Sequence, residues 1–214
     1  MYNSRIAGMG AYVPENVVTN DDLSKVMETN DAWIQERTGI KERRHIKEGD
    51  GNTTAVMGAK AAKIALERAK MSAQDIDMIV FATLSPDYYF PGCGVQVQEM
   101  LDMRTVPALD VRNQCSGFVY ALSTADQFIK TGMYTNVLVI GSENHSGGLD
   151  MTTRGRSVSV IFGDGAGAAV LTREEDNSKG ILSTHLHSEG KHALELSLKG
   201  PSTMEWVPEL IEKD

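Results

Sequence analysis

The sequence predicts an α/β fold in which a mostly parallel sheet is covered by helices on both faces. Apolar runs of four to six residues alternate along the chain with longer helical patterns. These runs are apolar throughout, as is typical of strands buried on both faces. The chain has 214 residues, of which 41% are hydrophobic and 23% charged, so it can bury a sizeable core.

The first half of the chain contains predicted strands and helices separated by recognisable breaks. Pro14 ends the first strand because proline cannot donate a ladder hydrogen bond. Gly39 ends the second acidic helix because glycine readily adopts a left-handed backbone. The predicted elements are a strand at 4–13, helices at 21–28 and 31–38, a charged loop at 40–52, an Ala-rich helix at 53–70, a strand at 76–82, a loop at 83–93 and a helix at 94–101.

The second half continues this alternation and then becomes polar after Glu189. The turn Gly163-Asp164-Gly165 predicts that two late strands pair antiparallel. We interpret its glycines as packing residues, because the Lys-Ser/Thr of a phosphate-binding loop is absent and no helix begins there. The predicted elements are a strand at 106–111, a helix that opens at Cys115, strands at 137–141, 158–162, 166–172 and 179–187, and a helix at 204–213.

Composition and charge exclude several functional classes. The formal net charge of −8 argues against binding to nucleic acid or to an anionic membrane surface. No apolar run approaches the roughly 18 residues of a membrane span, and the start of the chain lacks a secretory signal pattern. Cys93 and Cys115 are too few for a disulfide framework, and no His, Cys and Asp cluster has metal-site spacing. We therefore expect a cytoplasmic protein.

Cys115 is the candidate nucleophile. It follows the strand at 106–111 and opens a helical pattern, so it lies at a helix N-terminus. Unpaired N–H groups and the positive end of the helix macrodipole favour the thiolate, which is the reactive form. Gly117 allows a ligand or another backbone to approach the sulfur. The alternative is a buried structural cysteine, which position alone leaves open.

Four motifs carry a resemblance to a known family. They are Trp33-Ile34-Gln35-Glu36-Arg37-Thr38-Gly39-Ile40, Phe90-Pro91, Cys115-Ser116-Gly117-Phe118 and Ile161-Phe162-Gly163-Asp164-Gly165-Ala166-Gly167-Ala168. In this order and spacing they resemble the β-ketoacyl-[acyl-carrier-protein] synthase III family. The resemblance implies a thiolase-like α/β fold. Residues 1–175 would form the N-terminal βαβαβαββ half of a five-layer α/β/α/β/α arrangement, and residues 176–214 the start of a truncated second half.

The resemblance implies an acyltransferase that initiates fatty acid synthesis. Cys115 would accept the acyl group of acyl-CoA as a thioester, which would then condense with malonyl-[acyl-carrier protein] with loss of CO₂. Acyl-CoA and acyl-carrier protein would be its partners, with no separate cofactor and no metal. None of the five histidines lies in the family's His-Gln-Ala-Asn context, and its Gly-Asn-Thr-Ser segment does not occur. Because the family's catalytic His and Asn are missing, we expect this chain alone to be inactive in condensation.

Two other functions remain open. Another reaction on the same scaffold, such as hydroxymethylglutaryl-CoA-type, head-to-head or secondary-metabolite condensation, would use the same cysteine. A non-catalytic partner subunit would not need Cys115, so the presence of this residue favours an enzyme.

The resemblance also implies a coenzyme A site at the first motif. Trp33 and Arg37 are four residues apart and share one helix face. An indole can stack on adenine while a guanidinium approaches the ring or a phosphate. Arg156 matches another arginine of this entrance, with Arg154 as an offset rival, and Thr29 matches a minor contact. For an isolated pair, the alternative is a packing indole beside a solvated guanidinium.

A two-fold symmetric homodimer is the expected assembly. The resemblance implies that Phe90 crosses the interface into the partner's acyl pocket. Its position beside Pro91 alone would favour an ordinary loop anchor. We expect the apolar segment Val137–Gly141 to offer an exposed strand edge for the dimer contact.

Overall fold

A computed structural model of the chain describes residues 2–113 and 115–197. Its strands are β1 (Asn3–Tyr12), β2 (Val17–Thr19), β3 (Glu42–Arg44), β4 (Met78–Ala82), β5 (Ala108–Val111), β6 (Asn136–Glu143) and β7 (Gly165–Glu174). Its helices are α1 (Asn20–Ser24), α2 (Asp31–Thr38), α3 (Thr54–Ala69), α4 (Cys93–Met100), α5 (Gly117–Lys130) and α6 (Arg156–Ser159). Short 3₁₀ turns occur at Ala73–Asp75, Ser146–Gly148, Thr153–Gly155 and Gly190–His192. The chain divides into a main unit, Met1–Thr184, and a C-terminal unit, His185–Asp214.

The main sheet has the strand order β1-β7-β6-β4-β5. Strand β4 pairs in parallel with β5 and β6, whereas β7 pairs antiparallel with both β6 and β1. Four of the five strands therefore run in the same direction, and only β7 is reversed. The predicted α/β fold with a mostly parallel sheet is confirmed. The elements β1, α3, β4, α4, β5, α5, β6 and β7 follow the order βαβαβαββ.

Helices cover both faces of this sheet, so the described residues of the main unit form three layers. One face packs on α3 and α4 through residues such as Phe81 and Ile140, and the other packs on α5 through Val80 and Val139. Alternate residues of β4 and β6 thus enter opposite cores. Both strands are buried along their centres, which is why their central residues are apolar.

The small-residue face of α3 exists because this helix lies against the backbone of β1. A Cβ atom on Gly8 would lie only 2.3 Å from the carbonyl oxygen of Ala65. A Cβ atom on Gly10 would lie 2.1 Å from the carbonyl oxygen of Ala61. Glycines on the strand and alanines on the helix together permit this approach, and Ala61 and Ala65 are fully buried by it.

Two of the predicted late strands are wrong. Residues 158–162 do not form a strand, because the chain turns through α6 instead. The Ser159 side chain donates to the Asp150 carbonyl oxygen at 2.8 Å, and Arg43 donates to the Val160 carbonyl oxygen at 3.0 Å, which holds this turn. β7 is antiparallel as predicted, but its partners are β1 and β6. Residues 179–187 also form no strand; Gly180 has a φ of +85°, which interrupts an extended backbone.

The charged loop at 40–52 and the expected dimer strand also need correction. Residues 42–44 form β3, which pairs with β2. Val137–Gly141 lies inside β6, between β4 and β7, so it is not an exposed edge. The edges of the described main sheet are β1 and β5. The first acidic helix ends at Ser24 rather than at residue 28, and the helix predicted at 204–213 lies outside the described residues.

Candidate functional site

Cys115 lies exposed in the turn between β5 and α5. The helix begins at Gly117, and Ser116 is its N-cap residue. In the described part of the chain the Ser116 side chain makes no capping hydrogen bond; its hydroxyl instead accepts from the Asn113 amide at 3.2 Å. The positive end of α5 therefore faces the cysteine turn without an internal side-chain acceptor. The Cys115 side chain is therefore accessible, and the buried-cysteine alternative is wrong for this residue.

Cys93 occupies a contrasting environment at the first position of α4. It is fully buried, and burial raises the pKa of its thiol to about 11. A thiol with so high a pKa carries little thiolate near neutral pH and is a poor nucleophile. The two cysteines therefore differ in exposure, and the buried, protonated thiol of Cys93 is not suited to attack an acyl group.

Trp33, Arg37 and Arg156 form one cationic and aromatic cluster. The Arg37 guanidinium carbon lies 4.5 Å from the Trp33 ring centroid, and that of Arg156 lies 5.0 Å from it. The helix that carries the indole is fixed at both ends, by the Asn30 side chain, which accepts from the Trp33 N–H, and by the left-handed Gly39. The structure thus brings together three predicted residues from two distant segments. An indole with two guanidiniums close to it can bind a flat ring bearing phosphates.

The structure also distinguishes Arg156 from Arg154 and shows the surroundings of Thr29. Arg154 pairs with Asp150 at 2.6 Å, and its side chain is 89% exposed, so Arg156 is the arginine beside the indole. Arg156 also donates to the carbonyl oxygen of Glu28. The Thr29 hydroxyl oxygen is buried and finds no hydrogen-bond partner among the described residues. Thr29 directly follows Glu28, so this unpartnered hydroxyl lies close along the chain to the contact made by Arg156.

Phe90 lies in the loop between β4 and α4. Its side chain is 77% exposed, and the neighbouring Tyr88 and Tyr89 are 60% and 63% exposed. Phe90 does not anchor the loop. That role belongs to Asp87, whose carboxylate accepts hydrogen bonds of 2.8–2.9 Å from the first residues of α3 and from Thr53. Exposed aromatic side chains on an anchored loop form a contact surface rather than a core.

Gly163 and Gly165 are packing glycines, as predicted, whereas a Cβ atom on Gly167 would have no other atom within 4 Å. A Cβ atom on Gly163 would lie 3.1 Å from that of Arg43, so the chain packs tightly there. The Asp164 carboxylate is buried and accepts from the N–H groups of Ile46, His145 and Ser146 at 2.7–2.8 Å. This carboxylate joins three chain segments. No local sequence signal marks this role, because only the folded chain brings those N–H groups together.

No helix of the described residues is long and apolar enough to cross a membrane. Within the same ranges, no group of three or more His, Cys, Asp or Glu side chains is arranged to hold a metal ion.

Comparisons with known proteins agree with this fold. The family model for 3-oxoacyl-[acyl-carrier-protein] synthase III matches residues 109–190. A curated β-ketoacyl-[acyl-carrier-protein] synthase III from Rhodospirillum centenum is 49% identical over 97% of this chain and 64% of its own length. Its counterpart from Ehrlichia canis is 50% identical over 89% of this chain and 58% of its own length.

Solved structures give the same result. The 3-oxoacyl-[acyl-carrier-protein] synthase III of Aquifex aeolicus has 49% identity and a TM-score of 0.77, and covers 81% of this chain. The Pseudomonas aeruginosa protein has 32% identity and a TM-score of 0.86, and covers 95% of this chain. The match takes up 55% and 62% of those two chains. The chain therefore spans about three fifths of its relatives, and it is a homologue of the N-terminal portion of the 3-oxoacyl-[acyl-carrier-protein] synthase III family.

Proposed function

We propose that this chain carries the acyl-accepting cysteine of a condensing acyltransferase that initiates fatty acid synthesis. The Cys115 thiolate attacks the thioester carbonyl of acyl-CoA, a new carbon–sulfur bond forms, and coenzyme A leaves as a thiolate that takes up a proton. The observation that carries the proposal is the exposed Cys115 at the N-terminus of α5, within the residues that match the family model. The N-terminal N–H groups of α5 would favour the attacking thiolate.

The cluster around Trp33 is the proposed coenzyme A site. The indole would stack on the adenine ring, while Arg37 and Arg156 would pair with phosphates. Two guanidiniums within 5.0 Å of one ring centroid supply positive charge on a chain whose net charge is −8. The unpartnered hydroxyl of Thr29 supplies a further hydrogen-bonding group. Local positive charge of this kind suits a phosphorylated ligand.

Condensation with malonyl-[acyl-carrier protein], with loss of CO₂, is the proposed second step. It generates an enolate whose oxygen needs hydrogen-bond donors. The family's His-Gln-Ala-Asn and Gly-Asn-Thr-Ser segments do not occur in this sequence. We therefore assign acylation of Cys115 to this chain and expect it not to catalyse condensation by itself. The proposed setting is the cytoplasm, with no cofactor beyond the two substrates.

Fatty acid synthesis is preferred over other condensations because of the named relatives. Curated relatives at 48–50% identity are named β-ketoacyl-[acyl-carrier-protein] synthase III. A solved priming ketosynthase of the R1128 polyketide pathway is only 31% identical, although its TM-score is 0.76. The fold is thus shared between the two chemistries, and this identity is close to the 32% of the Pseudomonas aeruginosa synthase III, so the preference rests on the curated relatives at 48–50% identity.

The proposed assembly is a two-fold homodimer formed at β5. This strand is an edge of the main sheet, and Leu109 on it is 38% exposed. An open edge with an exposed apolar side chain is a template for strand pairing between chains. The exposed Phe90 would then reach the acyl pocket of the partner.

The test is acylation of the purified chain by acetyl-CoA, followed by intact mass and peptide mapping. We expect one acetyl group per chain, on Cys115, and no label in Cys115→Ser. Cys93→Ser is the matched control and should be labelled as the wild type is. A chain that remains unlabelled would support a non-catalytic subunit, and label on Cys93 would contradict the assignment.

A further inference from the structure

The carboxylate of Glu143 binds three consecutive residues of the loop after β4. It accepts from the Leu84 N–H at 2.8 Å, and from the Thr83 hydroxyl and the Ser85 N–H at 3.1 Å each. It also accepts from the Ser85 hydroxyl. Hydrogen bonds to a charged acceptor are stronger than neutral ones. Four of them on one short segment fix the position of that segment.

The segment held by Glu143 lies beside the cysteine turn. The Thr83 N–H donates to the Val111 carbonyl oxygen at 3.2 Å, just before the turn. After the turn, a Cβ atom on Gly117 would lie 3.5 Å from the Cβ atom of Ala82. Residues 82 and 83 therefore contact both ends of the turn that carries Cys115.

Two other contacts fix Ser85, which lies near the start of the loop between β4 and α4 that carries the exposed aromatic residues. Its carbonyl oxygen accepts from the Thr54 hydroxyl at 2.6 Å, and its hydroxyl accepts from the Asn144 N–H at 2.8 Å. The exposed aromatic residues begin three positions later, at Tyr88. Glu143 thus fixes the loop on the side nearest to Cys115, while Asp87 fixes it to α3.

We infer that Glu143 is a positioning residue that determines which acyl groups reach Cys115. By holding Thr83–Ser85, of which Thr83 donates to the Val111 carbonyl oxygen just before the cysteine turn, it fixes the loop that adjoins this turn. The inference rests on the proposed acylation of Cys115 and adds a determinant of acyl specificity to it. Glu143 acts through the loop and does not touch the acyl group.

Asp77 provides the matched control for Glu143. It tests whether any carboxylate that holds chain segments together would affect access to Cys115. Asp77 immediately precedes β4, so it lies at the opposite end of that strand from Thr83. Its carboxylate accepts from Arg104 at 2.6 Å and from the Thr135 and Asn136 N–H groups at 2.9 Å each. Asp77→Asn should therefore weaken a similar set of hydrogen bonds without affecting the loop beside Cys115.

The experiment compares alkylation of Cys115 by iodoacetamide and by its N-octyl analogue in the full chain, with peptide mass identifying the site. We expect the ratio of the two rates to change about tenfold in Glu143→Gln and by less than about twofold in Asp77→Asn. Ser85→Ala keeps the carboxylate charge but removes one donor, so it should change the ratio in the same direction. That result would exclude lost charge as the cause.

An unchanged ratio in Glu143→Gln, or an equal change in Asp77→Asn, would overturn the inference. If circular dichroism shows that Glu143→Gln does not fold, Ser85→Ala decides by the same criterion. Acetyl-CoA labelling of the wild type is measured in parallel. Absence of label would contradict the proposed function, whereas the alkylation ratio would still decide the role of Glu143.

Discussion

Gly10→Ala should destabilise the protein strongly, because the new methyl group would meet backbone atoms of α3. The Cβ atom would lie 2.1 Å from the Ala61 carbonyl oxygen and 2.6 Å from the Ala65 nitrogen. An ordinary contact between carbon and oxygen is about 3.3 Å, so strand and helix must separate by about 1 Å. Neither partner atom belongs to a flexible side chain, so the shift must involve the backbone.

The expected cost is about 3 kcal/mol in the free energy of unfolding, at the upper end for an overpacked core. For a chain of this size it lowers the melting temperature by about 6–12 °C. Gly167→Ala is the matched control, since Gly167 lies in the neighbouring strand β7 and a Cβ atom there would have no other atom within 4 Å. It should be neutral or stabilising by up to about 1 kcal/mol. Urea unfolding followed by circular dichroism measures both. A Gly10→Ala cost below about 1 kcal/mol, or an equal cost at Gly167, would refute the reasoning.

Four further predictions concern the site, the buried cysteine and the assembly. Arg156→Ala should raise the acyl-CoA concentration for half-maximal acylation about tenfold, because a charged hydrogen bond to phosphate is lost, while Arg154→Ala should change it by less than about twofold; equal effects would contradict the assignment. Iodoacetamide at pH 8 should modify Cys115 and spare Cys93, whose pKa of about 11 keeps the buried thiol protonated. Because that pKa is raised from its ordinary value of 9.0, the thiol of the unfolded chain ionises at a lower pH than that of the folded chain, and the free energy of unfolding should fall as the pH rises from 9.0 to about 11. Peptide mapping checks the labelling, and urea titrations check the pH dependence. Rapid labelling of Cys93 in the native protein would contradict both predictions. Leu109→Lys should shift a dimer towards monomer in sedimentation, since it places a charge on the open edge of β5; an unchanged dimer would locate the interface elsewhere.

The sequence alone could predict elements whose signals are local. The apolar runs of β4 and β6 reflect burial on both faces, and Gly39 ends α2 with a φ of +71°, as its position suggested. The cysteine turn was predictable for the same reason, since a strand followed by an amphipathic helix leaves little choice for the backbone between them, although β5 is a partly exposed edge strand and not the buried strand that its apolar run suggested. Such features depend on neighbouring residues rather than on the rest of the fold.

The errors arose where distant residues determine the local structure. Val158–Phe162 has the composition of a strand, but hydrogen bonds with Arg43 and Asp150 hold it in a turn. Spacing could not separate Arg156 from Arg154, because the indole that distinguishes them comes from α2. Glu143 had no recognisable motif, since its role depends on which loop lies beside the end of β6.

The position of β7 has a consequence for the order of folding. Strand β1, at residues 3–12, has β7, at residues 165–174, as its only partner in the described sheet. Strand β1 must therefore wait for the synthesis of more than 150 further residues before its ladder can form. Pairings between such distant segments form slowly, because loop-closure entropy is lost before the contacts are gained. During synthesis β1 is an unpaired edge, and a chain interrupted before Gly165 exposes it to association with other chains.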